Sequence, residues 1–196
     1  MKDTELLRLL LQIAKTTLLE YFDSSFFVDT ASLYRHYPRL QEEGASFVTL
    51  HKETQLRGCI GSIIAYRTLL EDLISNTLSA ALHDPRFTPL QKEELSSLTL
   101  EVSLLTDPKQ LVYSDYEDLC AQIEPYKDGL ILQHENYRGT FLPQVWEQLS
   151  DTRDFLEHLS VKAGATPEIY AQLPKIYRYH VKAMEEPFDA ILPIQE

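Results

Sequence analysis

The sequence predicts an α+β fold in which a mostly antiparallel sheet is flanked by helices. Three observations point there. A leucine-rich series over residues 4–20 recurs at helical spacing. Short apolar runs at 45–50 and 56–61, and again at 130–132 and 137–142, are joined by connections of hairpin length. Residues 98–105 alternate, with Leu98, Leu100, Val102 and Leu104 on one face and Thr99, Glu101 and Ser103 on the other.

The apolar residues of the first helix cover most of its circumference, as in a helix buried on more than one side. Asp3 or Thr4 is placed to cap it, because a side-chain oxygen accepts from the unpaired amides of a first turn. Residues 32–37 fit one or two helical turns before Pro38. The polar stretch 51–55 then joins two strands and sets Arg57 and Cys59 against residues near Phe47 and Val48. A helix is expected over 68–82, with Leu70, Leu73, Ile74, Thr77 and Ala81 on one face and Pro85 as its boundary. Ala80 and Ala81 are small enough to let that helix sit close to a sheet. The loop His83-Asp84-Pro85-Arg86-Phe87 brings three ionisable side chains together. It reads either as a helix terminus followed by an Asp-Pro turn or as a catalytic loop.

Residues 89–94 read as a turn with an acidic helical start, and 114–123 as a short helix with Cys120 on its apolar side. The second hairpin turns at 134–136, with Gly139 as a candidate bulge. Gln144, which follows Pro143, either orients a ligand or caps the next helix. Asp151 opens a helix that buries Phe155, Leu156, Leu159 and Ala163 and stops at Gly164. Thr166-Pro167 begins another by the cap-then-proline pattern. Residues 175–184 read as one last strand, with Tyr177 and Tyr179 on one face and Arg178, His180 and Lys182 on the other. The tyrosines suit a core better than a base-stacking platform, given the acidic background.

At 196 residues the chain is long enough for one well-buried core. With 44% hydrophobic and 24% charged residues its composition is that of a soluble globular protein. No apolar run approaches the roughly 20 residues that span a bilayer, and the N-terminus lacks the pattern of a secretory leader, so the expected location is the cytoplasm, away from membranes. A net charge of -12 argues against unspecific nucleic-acid binding. Within that acidic background Arg57 and Arg86 are the candidates to line a local positive pocket. Two cysteines outside any Cys-x-x-Cys pair are expected as free thiols, and they are too few for an iron–sulfur cluster. No phosphate-binding glycine loop, dinucleotide fingerprint or Gly-x-Ser-x-Gly elbow is present. The six histidines show no close ligand spacing, so neither metal nor cofactor is expected.

The stretch around which the chain is organised is Leu56-Arg57-Gly58-Cys59-Ile60-Gly61. In an extended strand Leu56, Gly58 and Ile60 face one way and Arg57, Cys59 and Gly61 the other. A fixed positive charge beside a thiol favours the reactive thiolate, and Gly58 and Gly61 let a backbone or a ligand approach closely. The alternative is a strand whose glycines pack against a neighbour and whose cysteine is a small hydrophobe.

This hexapeptide resembles the signature of the AMMECR family, whose bacterial members include a protein of the AmmeMemoRadiSam system. Ser79-Ala80-Ala81-Leu82-His83-Asp84-Pro85-Arg86-Phe87, Leu100-Glu101-Val102-Ser103-Leu104-Leu105 and Leu142-Pro143-Gln144-Val145-Trp146 fit the family too, as does the ending with Lys162-Ala163-Gly164 and a tyrosine-rich strand. The resemblance implies a single α+β domain over 1–196 with two unequal lobes that are not independent domains, the signature lying near their junction. It implies a Memo-like protein and a radical S-adenosylmethionine enzyme as partners, but no settled activity. An enzyme reading makes Cys59 the nucleophile for transfer or hydrolysis on a small molecule or peptide. Arg57 then activates it or binds an anionic group, His83 or Glu101 moves protons, and Gly58, Gly61, Arg86 and Gln144 hold the ligand. A binding reading makes the same surface an adaptor without chemistry. Regulation of nucleic-acid processing, suggested for the family, stands third because of the acidic charge.

Overall fold

The leucine series folds as helix α1 (Asp3–Phe22), with Leu10, Ile13 and Leu18 wholly buried. The computed structural model describes residues 2–194. After α1 the helices are α2 (Thr30–His36), α3 (Leu69–Leu82), α4 (Tyr116–Gln122) and α5 (Thr152–Lys162). The strands are β1 (Ala45–Lys52), β2 (Gln55–Gly61), β3 (Leu98–Leu105), β4 (Lys109–Leu111), β5 (Gly129–His134), β6 (Tyr137–Phe141), β7 (Lys175–Tyr179) and β8 (Val181–Pro187). They form two four-stranded sheets, ordered β2-β1-β3-β8 and β4-β7-β5-β6, and the pairings among β1, β2 and β3 and among β4 to β7 are antiparallel. The fold is α+β, as the periodicities predict. The chain divides into two units, one built up to Leu105 and from Lys182 onward, the other from Thr106–Val181.

In the first unit Lys2, rather than Asp3 or Thr4, occupies the cap of α1, and its N–H donates to the Glu5 carboxylate at 3.1 Å. Lys15 on the same helix is buried, and its Nζ donates to the carbonyls of Phe188 and Ile191, each at 2.7 Å. Burial pushes its pKa down, countered by Asp189. The lysine fastens the returning C-terminal segment to the first helix. Helix α3 begins with a capping box: the Thr68 hydroxyl accepts from the Glu71 N–H at 3.3 Å, and the Glu71 carboxylate accepts from the Thr68 N–H at 3.2 Å.

The hairpin of β1 and β2 is tighter than the sequence suggests. Lys52 pairs with Gln55, so the turn is the two residues Glu53 and Thr54, with φ of 49° and 68°. Positive φ at both central positions matches the strand twist, and the Glu-Thr pair gives no signal of it. The register then shifts: Leu50 pairs with Gly58 but His51 pairs with Leu56, leaving Arg57 as an extra residue in a bulge. Leu56 therefore shares the Cys59 face instead of opposing it, and the direct partner of Cys59 is Thr49 rather than Phe47 or Val48.

In the second unit Trp146 stacks on Phe155 at 3.7 Å between ring centroids, and its Nε1 donates to the Asp128 carbonyl at 2.8 Å. Gly139 makes no bulge, because its pairing with Leu132 lies in an unbroken register. It is small because a Cβ there would lie 2.8 Å from the Ala163 nitrogen at the end of α5. The expected strand at 175–184 is two strands in different sheets, β7 and β8. They separate at His180, whose carbonyl accepts from the Thr106 N–H and whose N–H donates to the Thr106 hydroxyl, both at 2.9 Å. Those backbone groups are therefore occupied outside a ladder. Among the described residues no helix is long and apolar enough to cross a membrane.

A Cβ at Gly58 would lie 2.1 Å from the Ala80 carbonyl oxygen of α3. Gly58→Ala is expected to lower stability by about 2–3 kcal/mol, since helix and strand must separate. Gly164→Ala, at φ +87° but with only an ordinary contact to Tyr137 Cδ1 at 3.9 Å, is expected to cost about 1–2 kcal/mol from backbone strain alone. Urea unfolding of both variants measures the difference.

Candidate functional site

Alternation gives the first sheet two faces. Val48, Leu50, Leu100 and Val102 pack into the core with α1 and α3. The other face carries a row across three strands, Cys59 on β2, Thr49 on β1 and Glu101 on β3. Cys59 is half-buried, and its Sγ accepts from the Thr49 hydroxyl at 3.2 Å. Glu101 accepts from the Ser103 hydroxyl at 3.0 Å.

Because β2 is an edge strand, the outward N–H and C=O of Cys59 need partners other than a ladder. The loop after α3 supplies them. Asp84 Oδ2 accepts from the Cys59 N–H at 2.9 Å, and Arg86 Nη2 donates to the Cys59 carbonyl at 3.2 Å. The two side chains are themselves paired: Arg86 Nε donates to Oδ1 at 2.9 Å and Nη2 to Oδ2 at 2.7 Å. The bond from Arg86 holds the buried Asp84 carboxyl far below the usual carboxylate range against the opposing effect of burial, with help from the Cys59 and Arg86 N–H groups. Arg86 is raised in turn by its bond to Asp84, against the opposing effect of burial.

Arg57 does something else. Its Nε and Nη2 donate to Glu94 at 3.1 and 2.9 Å, and Lys52 Nζ reaches the same carboxylate at 3.1 Å. Arg57, first among the causes, holds the Glu94 carboxyl at about 2. Arg57 Nη1 is buried without a partner among the described residues. The bulge removes Arg57 from the alternation that the sequence suggested, and the guanidinium on the Cys59 backbone is that of Arg86.

His83 ends α3, its N–H bonded to the Ser79 carbonyl at 2.9 Å, while its exposed ring has no hydrogen-bond partner among the described residues. The space beside Gly58 is filled by the α3 backbone, and that at Gly61 by the Phe47 ring, 2.2 Å from where a Cβ would stand. Gln144 belongs to the second unit, exposed on the 3-10 turn Pro143–Glu147. The site thus gathers Cys59, Glu101 and Arg86, adds Thr49 and the Asp84 carboxylate as anchors, and assigns Arg57 to Glu94.

Sequence reasoning missed a second anchor. Asp72 on α3 is fully buried and accepts from the Ser46 N–H at 2.8 Å, the Ser46 hydroxyl at 2.7 Å, the Ser62 hydroxyl at 2.5 Å and Arg67 Nε at 3.0 Å. Asn76, one turn along, donates to it at 2.9 Å. The available signal was an Asp and an Asn four residues apart within an apolar helix.

Comparison with known proteins gives consistent results. The family model described as AMMECR1 matches residues 11–184. Protein MJ0810 of Methanocaldococcus jannaschii is 39% identical over 155 residues, covering 76% of this chain and 77% of that one. Protein LS215_2104 of Saccharolobus islandicus is 37% identical over 186 residues, 91% of this chain and 80% of that one. The crystal structure of the uncharacterised protein PH0010 from Pyrococcus horikoshii superposes with a TM-score of 0.78 at 32% identity, covering 95% of this chain and 93% of the other.

Asp84 and Glu94 both have folded pKa values below their free values of about 4. Their contribution to stability is complete above the free values and is lost as pH falls toward the folded ones. The urea midpoint is therefore expected to drop between about pH 5 and pH 2. Glu94→Gln should flatten that drop and cost about 3 kcal/mol at pH 7 by leaving Arg57 without its carboxylate; a slope equal to wild type would refute the assignment.

Proposed function

The chain belongs to the AMMECR1 family, and from that premise we propose that it is an accessory protein of the AmmeMemoRadiSam system. In this reading its first sheet presents Cys59 as the nucleophile for covalent transfer or hydrolysis on a small molecule or peptide. The observation that carries it is the fixing of one thiol from three sides. Thr49 holds the sulfur at 3.2 Å, Asp84 holds the strand N–H and Arg86 the strand carbonyl, yet the residue stays half exposed. Covalent catalysis gains most from a nucleophile whose position is set before the substrate arrives. Arg86 replaces Arg57 as the cation that favours the charged sulfur or receives an anionic substrate group.

One observation favours an adaptor without chemistry of its own. Among the described residues neither His83 nor any carboxylate is hydrogen-bonded to the Cys59 sulfur. On that reading the same face docks a Memo-like protein or a radical S-adenosylmethionine enzyme, and the partner carries out the reaction.

Iodoacetamide alkylation near neutral pH is expected to be about ten-fold faster at Cys59 than at Cys120, whose thiol is pushed up by burial. Cys59→Ser should keep the wild-type melting temperature but fail to complement a deletion of the gene in its native host. Full complementation by a folded Cys59→Ser protein would overturn the nucleophile and leave the adaptor.

A further inference from the structure

The same face of the first sheet holds a donor set in which Glu101, a candidate proton carrier of the thiol reading, meets two residues that reading does not use. His51 on β1, Glu101 on β3 and Glu185 on β8 each place one ligand atom within 4.8 Å of the other two. Sheet order explains the convergence, since β1, β3 and β8 are successive neighbours. Thr49 pairs with Glu101 and His51 with Thr99, so His51 and Glu101 are diagonal neighbours on one face. On β8, Met184 packs against the core, which turns Glu185 to the opposite face.

The surroundings suit a cation. Among the described residues no Lys or Arg pairs with Glu101 or Glu185, and the His51 ring has no hydrogen-bond partner. Two carboxylates this close repel each other unless a positive charge stands between them. The Ser103 hydroxyl donates to Glu101 Oε1 at 3.0 Å, which orients that carboxylate and leaves its second oxygen free. An imidazole nitrogen beside two carboxylate oxygens favours a first-row transition metal over magnesium or calcium, which prefer oxygen alone.

We propose that His51, Glu101 and Glu185 bind one divalent transition-metal ion of the zinc type on the face of the first sheet that carries Cys59. Three protein ligands leave at least one coordination position open to water or to a substrate atom. The proposal does not depend on Cys59 acting as a nucleophile.

The test is titration of chelator-treated full-length protein with Zn2+ by calorimetry, and with Co2+ by visible absorption. Wild type is expected to take up one equivalent of Zn2+ and to show Co2+ ligand-field bands. His51→Ala and Glu185→Gln should each weaken binding by about ten-fold or more. Glu185 is exposed, so Glu185→Gln is expected to melt as wild type does, which separates lost binding from lost folding. Cys59→Ser should bind like wild type. No uptake of metal, equal uptake by wild type and both ligand variants, or Mg2+ binding as tight as Zn2+ would each overturn the assignment. Loss of metal in folded Cys59→Ser would overturn the three-residue donor set.

Discussion

At the edge of the first sheet the buried Asp84 carboxylate receives the Cys59 N–H at 2.9 Å, while Arg86 grips that carboxylate and reaches the Cys59 carbonyl at 3.2 Å. Two side chains thereby do the work of a missing strand. The edge is closed to further pairing, the thiol is fixed along β2, and the loop after α3 is tied to the sheet it leaves. Because both outward groups of Cys59 are satisfied on that side, Cys59 and Thr49 form the closer kind of antiparallel pair, which brings the hydroxyl to the sulfur.

Three arginines of the first unit follow a common plan. Arg86 holds Asp84, Arg67 holds Asp72 and Arg57 holds Glu94, and each of these carboxylates is largely or wholly buried. A buried carboxylate is tolerable only when paired and hydrogen-bonded. In a chain with 18 Lys and Arg against 30 Asp and Glu, placing cations at buried acids leaves other acids without one. Glu101 and Glu185 are of that second kind, and they meet His51 on an otherwise ordered sheet face. The imbalance of charge thus becomes a local property of one surface.

Both units use glycine for the same mechanical end. Gly58 admits the Ala80 carbonyl at the end of α3, and Gly139 admits the Ala163 backbone at the end of α5. In each, a helix end lies directly on a strand. The glycines of the Cys59 stretch therefore act first on packing: one takes a helix backbone, the other the Phe47 ring.

Where burial repeats with the period of a single element, the residues themselves carried the information. The helix of the leucine series, the alternation of β3 and the Asp151 cap are all local, and each stands where its spacing placed it. That Cys59 faces away from Gly58 and Ile60 was equally legible, because successive residues of a strand alternate. Tertiary structure decided the rest. The bulge that withdraws Arg57, the positive-φ turn at Glu53 and Thr54, the break at His180 and the meeting of His51, Glu101 and Glu185 each depend on partners distant along the chain. Periodicity reports which face of an element is buried; only the register between elements determines which side chains on those faces touch.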